Sequence, residues 1–248
     1  MIDIYFTISD IDYEAALRAV FPTVLNKCKQ AESNNVLLRL LAKLDKTAEP
    51  VLQGIMRYLP QDLRDEFLCQ CANSFSLTLT EKLNAFLQPN SWGKNFVLGA
   101  VRVTRNEGKI LLVAENVRAD YKALLETDAV RDKVEGVVAN FTGNGLLAKL
   151  AAKAAKGALK AAGEMAPEEL EKAGMILLRR PDIQEKLLDM IGGALNHRGI
   201  AVTLSEISVE QAASDMLPQG YVQQKFSLHP ELEDALLNAL AEYLRGII

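Results

Sequence analysis

The side chains that most often carry chemistry are few and scattered in this sequence. His197 and His229 are its two histidines, and neither lies in an H-x-x-x-H or H-E-x-x-H frame, which would place two zinc ligands on one helix face. Cys69 and Cys71 form a C-x-C pair in a stretch with helical periodicity. Residues two apart on a helix point to different faces, so the pair makes a poor metal site and a poor disulfide. The sequence therefore predicts no catalytic zinc site.

Motifs for nucleophilic catalysis and nucleotide binding are also missing. The chain has no G-x-S-x-G elbow, no P-loop and no G-x-G-x-x-G fingerprint. Carboxylates cluster near predicted helix starts, where capping and the helix dipole account for them. The clusters are Asp10 with Asp12, and Asp62 with Asp65 and Glu66. We therefore assign no catalytic residue and no cofactor, and we favour a protein that is not an enzyme.

Two other features are candidates for contact with a partner. Trp92, the one tryptophan, lies in a predicted turn, and we interpret it as a core residue or as an interface contact. The stretch from Gly145 to Met165 predicts a helix with alanine on one side and four lysines on the other. These lysines are Lys149, Lys153, Lys156 and Lys160. Alanine buries little apolar area, which favours a helix packed inside the protein, or one facing an acidic protein surface, over a membrane-surface helix.

Composition limits the classes of protein to consider. The 248 residues suffice for one large core or two small ones, and 49% hydrophobic with 24% charged residues is typical of globular chains. A formal net charge of −4 disfavours nucleic acid as a partner. The most apolar windows are shorter than the roughly 20 residues of a membrane span. Three cysteines lack the dense, even pattern of small secreted scaffolds, so we expect a cytoplasmic protein.

The first half of the chain predicts a strand, a run of helices and a hairpin. IDIYFTIS opens the chain as a strand, and Ser9 or Asp10 is expected to cap the helix that follows. Pro22 is expected to kink or split that helix, because proline lacks the N–H donor and clashes with the preceding turn. After further short helices, two apolar runs flank Arg105-Asn106-Glu107-Gly108. Because Gly108 readily takes a positive φ, these runs predict a β-hairpin.

The second half shows the same order of elements. Helical periodicity returns at Arg118, Pro167 and Pro181 begin two more helices, and Gly199–Ser208 and Gly220–Leu228 are predicted strands before a final amphipathic helix. The outline suggests an internal duplication with a period of about 105 residues. A strand-then-helix phrase recurs as FTISDIDYEAAL, LLVAENVRADYKALL and KFSLHPELEDALL. Chance identity between short elements in similar order is the alternative.

These patterns predict an α+β fold of mostly short helices. Because an isolated hairpin is marginal in water, the halves are expected to pool about five strands into one shared antiparallel or mixed sheet. No Gly/Ser-rich or Pro-rich linker lies near the middle of the chain. We therefore expect one compact unit over residues 1–248, with pseudo-repeats at 1–108 and 109–248.

The sequence leaves three functions open. The leading hypothesis is a non-catalytic module that binds another protein or assembles with itself, because amphipathic helices are abundant and no catalytic constellation is visible. The second is a binder of a small apolar ligand or lipid in a cavity between helices and sheet. The third is an enzyme whose site assembles only in space.

Overall fold

The computed structural model describes residues 1–30, 36–44, 47–126, 167–213 and 228–246. Within these ranges helices and strands alternate in the predicted order. The elements are β1 (Ile2–Ile11), α1 (Tyr13–Gln30), α2 (Val36–Leu44), α3 (Ala48–Met56), α4 (Gln61–Ser74), α5 (Ser76–Leu87), β2 (Phe96–Val97), β3 (Ala100–Asn106), β4 (Lys109–Ala119), α6 (Tyr121–Glu126), α7 (Pro167–Leu178), α8 (Pro181–His197), β5 (Val202–Gln211) and α9 (Pro230–Arg245). The lysine-rich stretch and residues 220–227 of the predicted last strand lie outside the described residues.

The sheet is antiparallel throughout, with the order β3, β4, β1, β5. The short strand β2 pairs with the end of β4 beyond β3. The strands β1 and β4, which begin the two predicted halves, lie at the centre of the sheet. The strand β3 of the first half pairs with β4 of the second half, and β5 of the second half pairs with β1 of the first. This confirms the α+β class and the shared sheet. The internal duplication and the single-unit description remain predictions.

One face of the sheet forms the hydrophobic core with the helices. Alternation in β1 places Ile2, Ile4 and Phe6 on this inner face, and each is at most 2% exposed. Partners on β4 and β5, such as Leu112 and Val209, join the same cluster as α1 residues. The opposite face of the sheet carries the alternate residues of each strand.

Polar side chains on helices bind the outward backbone groups of both lateral strands. Helix side chains bind the backbone groups of Val101 and Val103 on β3, and of Leu98 just before that strand, at 2.6 to 2.9 Å. The helix residues are Asn73, Ser76, Thr80 and Asn84, which follow one another along α4 and α5. On β5 the residues are Arg179, Gln184 and Asn196, which bind Val209, Ile207 and Val202. Helices therefore occupy part of each edge where a further strand would pair.

The predicted β3–β4 hairpin is confirmed. Asn106 pairs with Lys109, and the two residues between them have positive φ: 49° at Glu107 and 78° at Gly108. A two-residue loop with both φ values positive matches the right-handed twist of its strands. The hairpin aligns Arg102 with Val113 and Thr104 with Leu111.

Two local predictions need comment. The helix α1 is not split at Pro22, whose side chain is exposed, so the carbonyl that loses its donor lies on the solvent side, and a kink there stays a prediction. The cap of α1 is neither Ser9 nor Asp10 but Asp12, which accepts the Ala15 N–H at 3.0 Å because β1 continues to Ile11. Within the described ranges, no helix is both long enough and apolar enough to cross a bilayer.

Candidate functional site

A polar cleft lies at the end of the sheet where β1 leads into α1. Its volume is about 410 Å³, which is within the range of small-molecule sites. The walls come from the end of β1, the tip of the β3–β4 hairpin, the middle of β5 and the first turns of α4. The lining residues are Thr7, Ile8, Ser9, Asp10, Ile11, Tyr13, Gln61, Asp65, Gly108, Lys109, Ile110, Ser205 and Glu206.

Irregular strand pairing shapes this cleft. The register between β1 and β5 shifts twice, between Thr7 and Ile8 and between Ile8 and Asp10. Such bulges leave residues unpaired and bend a strand, and they are common beside binding sites. Ser205 has no register partner in β1. It lines the cleft beside Glu206, which pairs with Thr7.

A tyrosine and a buried carboxylate form the inner wall. The Tyr13 hydroxyl donates a short hydrogen bond to Asp65 Oδ1, and Asp65 is 5% exposed. Burial, followed by the hydrogen bond and charge of Asp65, raises the pKa of Tyr13 above its ordinary range. The Arg64 guanidinium carbon lies 5.0 Å from the centre of the Tyr13 ring. The phenol is therefore held protonated and in place as a donor.

The remaining polar groups make the cleft acidic. Among the described residues of the lining, Asp10, Asp65 and Glu206 contribute carboxylates and Lys109 contributes the one ammonium. Lys109 Nζ lies 3.2 Å from Glu206 Oε2, so this cation is already paired. Ser9 Oγ donates to the Thr203 carbonyl at 3.2 Å. An arrangement of this kind can bind hydrogen-bond donors and positive charge.

Tyr13 is held as a hydrogen-bond donor in this cleft, because its raised pKa keeps the phenol protonated near neutral pH. The described lining residues include no histidine or cysteine. Within the described ranges, no group of three or more His, Cys, Asp or Glu residues is placed to hold a metal ion. The lining mixes polar residues with three isoleucines, and the hypothesis of an apolar ligand stays a prediction.

A second candidate surface is the outer face of the sheet, opposite the core. Strand register places Arg102, Val113, Tyr5 and Ser208 in one row across the four strands. The next row consists of Thr104, Leu111, Thr7 and Glu206. Val113 is fully buried, yet Tyr5, Leu111 and Val113 all lie outside the hydrophobic core cluster. The outer face thus has an apolar centre of its own.

Charges on the outer face are divided between its two sides. Arg102 on β3 pairs with Glu115 at 2.6 Å and keeps 42% of its side chain exposed. On β5, Glu206, Ser208 and Glu210 are all exposed. Burial is the main cause that raises the pKa of Tyr5, and the charge of Asp3 adds to it. One side of the face therefore presents an arginine and the other side presents glutamates.

Trp92 and the two histidines lie apart from both surfaces. Trp92 is 4% exposed and belongs to the core cluster, where its ring centre lies 4.9 Å from that of Phe96. Whether Trp92 also contacts a partner remains a prediction. Lys149, Lys153, Lys156 and Lys160 lie outside the described residues. His197 ends α8 and His229 precedes α9, and both are exposed.

The cysteine pair occupies a helix, as expected. Cys69 and Cys71 are buried in α4 as thiols that are not joined in a disulfide. Burial, assisted by the charges of Glu66 and Asp65, raises the pKa of Cys69 to about 12. A thiol with so high a pKa is protonated at neutral pH and is a weak nucleophile.

Sequence reasoning missed the pair that forms the inner wall of the cleft. Asp65 was interpreted as one of several acids near a helix start, but it is the fifth residue of α4 and faces inward. A signal was present in the recurring strand-then-helix phrase, which repeats Asp-Tyr as Asp12-Tyr13 and Asp120-Tyr121. No family model, curated protein or solved structure gives a significant match to this chain.

Proposed function

We propose that this protein is a non-catalytic module that assembles with a second copy of itself through the outer face of its sheet. The observation that carries the proposal is the division of charge on that face, with Arg102 on one lateral strand and Glu206 and Glu210 on the other. A two-fold interface requires a surface that is complementary to itself.

A two-fold axis parallel to the strands and passing between β4 and β1 exchanges β3 with β5. Arg102 of one copy then faces Ser208 of the other, because both residues belong to the same row. Glu206 and Glu210 lie two residues to either side of Ser208, within reach of a long arginine side chain. Tyr5 of each copy lies over the position of Val113 in the other. Val113 is already buried within one copy, so the apolar side chains that the second copy can cover are Tyr5 and Leu111, which are partly exposed.

Association through the face also fits the state of the lateral strands. Helix side chains bind outward backbone groups of β3 and β5, which leaves fewer free groups for pairing between edges. Four strands about 4.8 Å apart and about seven residues long cover roughly 450 Å². Such an area is at the low end for specific interfaces, so we expect a weak, reversible dimer with a micromolar dissociation constant.

Two opposite substitutions at one exposed position test this arrangement. Ser208→Arg places a cation against Arg102 of the second copy and is expected to raise the dimer dissociation constant by at least about fivefold at low salt. Ser208→Glu adds an anion at the same point and is expected to lower that constant, with both effects shrinking as salt screens the charges. Sedimentation velocity over a range of protein concentrations measures both constants.

The control is Glu185→Arg, which also introduces an arginine at an exposed position, on α8, and changes the net charge by two units instead of one. It is expected to leave the dissociation constant unchanged. A protein that stays monomeric at several hundred micromolar would contradict self-assembly, as would equal weakening by Ser208→Arg and Ser208→Glu. The cytoplasmic location expected from the cysteine content is separate from this proposal and stays a prediction.

A further inference from the structure

We infer that the polar cleft beside β1 is a binding site for a small aliphatic amine, such as a short diamine. The cleft shares Thr7 and Glu206 with the outer face, but the two proposals are tested at different residues, since Asp65 lies on α4 and neither Ser208 nor Arg102 lines the cleft. It rests on the charge of the lining, the buried carboxylate at its inner wall and the apolar side chains between the polar groups.

Asp65 supplies the anchor for a positive charge. An ionised carboxylate accepts up to about four hydrogen bonds, and the Tyr13 hydroxyl supplies one of them through Oδ1. Asp65 is almost completely buried and lines the cavity, so a bound donor would meet it in a setting where water screens little. Charge-assisted hydrogen bonds are about twice as strong as neutral ones. An ammonium group is a suitable donor to the acceptor positions of this carboxylate that the Tyr13 hydroxyl does not occupy.

The balance of charge along the lining selects a cation. Three carboxylates outnumber the single ammonium of Lys109, which is engaged by Glu206. Asp10 provides a second carboxylate, whose Oδ1 accepts the Ile11 N–H at 2.9 Å. An anionic ligand would be repelled by these groups. A metal ion is a poorer fit, since no described cluster offers three suitable ligands.

Apolar side chains in the lining define the rest of the ligand. Ile8, Ile11 and Ile110 belong to the cleft together with the hydroxyl groups of Ser9 and Ser205. Methylene groups pack against isoleucine, whereas ammonium groups bind carboxylate and hydroxyl oxygens. A short chain of methylenes with an amino group at each end combines both properties. A rigid aromatic cation lacks the flexible apolar segment that these side chains would contact.

Isothermal titration calorimetry of the full chain with 1,4-diaminobutane tests the inference at low ionic strength. We expect saturable binding of one molecule per chain, with a dissociation constant below about 1 mM. The neutral analogue 1,4-butanediol is expected to bind at least about tenfold more weakly, because it cannot form charge-assisted bonds. Asp65→Asn is expected to weaken diamine binding by about tenfold or more. Asp62→Asn, an exposed position in the first turn of the same helix, is the matched control and should bind normally.

A second variant keeps the test decisive if Asp65→Asn unfolds. Ser205→Leu places a larger side chain in the cleft from an exposed position on β5 and should abolish diamine binding while the protein remains folded. Absence of saturable heat with the diamine up to about 10 mM would overturn the inference. Equal weakening by Asp62→Asn and Asp65→Asn would also overturn it, since that pattern indicates diffuse attraction to the protein surface.

Discussion

Two strand-to-helix junctions, β1 to α1 and β4 to α6, are built from the same parts. At the first junction Asp12 accepts the Ala15 N–H at 3.0 Å, and at the second Asp120 accepts the Ala123 N–H at 2.9 Å. The aspartate N–H is also bound in each case. The Asp12 N–H donates to the carbonyl of Ala201, just before β5, at 3.0 Å. The Asp120 N–H donates to the carbonyl of Asn95, just before β2, at 2.8 Å. Strand, cap and neighbour thus meet in one recurring geometry.

The tyrosine that follows each aspartate is used differently. Tyr13 donates to buried Asp65 and lines the acidic cleft. Tyr121 instead lies against Gly174 of α7, so closely that a β-carbon on that glycine would overlap the ring. Burial, followed by the charge of Glu171, raises the pKa of Tyr121 to about 12. The capping geometry is therefore independent of what the tyrosine contacts. Tyr13 binds a carboxylate and lines the cleft, whereas Tyr121 packs against a helix glycine.

The comparison predicts its largest effect at Gly174. Alanine favours helices over glycine by about 1 kcal/mol, so helix propensity alone predicts that Gly174→Ala stabilises the protein. The Tyr121 ring occupies the space of the new methyl group, and we expect overpacking to dominate, with a net loss of about 2 to 3 kcal/mol in the free energy of unfolding. Chemical denaturation measures the change.

Gly193→Ala is the control, because Gly193 also lies within a helix but has nothing within 4 Å of the added carbon. This substitution is expected to stabilise the protein by about 0.5 to 1 kcal/mol. If Gly174→Ala stabilised the protein to the same extent, close packing at the second junction would be wrong.

The second-largest expected effect distinguishes the hydroxyl group of Tyr13 from that of Tyr121. Tyr13→Phe removes the donor to a buried carboxylate and is expected to cost about 2 kcal/mol of unfolding free energy. Tyr121→Phe keeps the ring against Gly174 and is expected to change the free energy by less than about 0.5 kcal/mol. Denaturation of both variants at neutral pH gives the comparison, and equal costs would show that the tyrosines play equivalent parts.

High pH tests the burial of Tyr121. The unfolded chain releases the Tyr121 proton near pH 10, whereas the folded chain holds it to about pH 12. Above pH 10 the unfolded state therefore binds fewer protons, so this contribution to stability is complete below pH 10 and is lost as the pH rises through about 12. The wild-type protein should lose stability more steeply than Tyr121→Phe over that interval.

The smallest effects concern the shared aspartates. Asp12→Ala and Asp120→Ala each remove a helix cap and are expected to cost about 1 kcal/mol of unfolding free energy. Serine at either position should restore most of the loss, because its hydroxyl also accepts the exposed N–H. A large difference between the two alanine variants in the same denaturation assay would show that the junctions are not equivalent.

Local pattern was enough to predict most of the elements and the hairpin. Alternation in IDIYFTIS matches the burial of Ile2, Ile4 and Phe6, and the Asn106-Glu107-Gly108 turn has the positive φ values expected of it. These features depend on neighbours a few residues away, which a sequence displays directly. The end of β1 was misplaced because Asp10 and Asp12 are both good capping residues, and strand pairing decides between them.

The candidate site depends on contacts that local pattern does not contain. Tyr13 and Asp65 lie 52 positions apart, and the cleft also needs the pairing of β1 with β5, which is distant in sequence. Asp65 has the residue type of a surface acid, and only the packing of α4 against α1 shows that it is buried. The outer face was equally hidden, because alternation identifies two faces of a strand without showing which one the helices cover.

The side chains that bind β3 and β5 have a consequence for how the protein behaves when crowded. Asn73 and Asn196 each engage both the amide and the carbonyl of one strand residue, as a neighbouring strand would. An incoming extended segment must displace these amides before it can join the sheet at those positions. High protein concentration alone is therefore expected to cause little fibre growth by strand addition at the edges of β3 and β5. These polar helix residues protect the molecule against amyloid-like stacking, although the sequence alone does not mark them for that role.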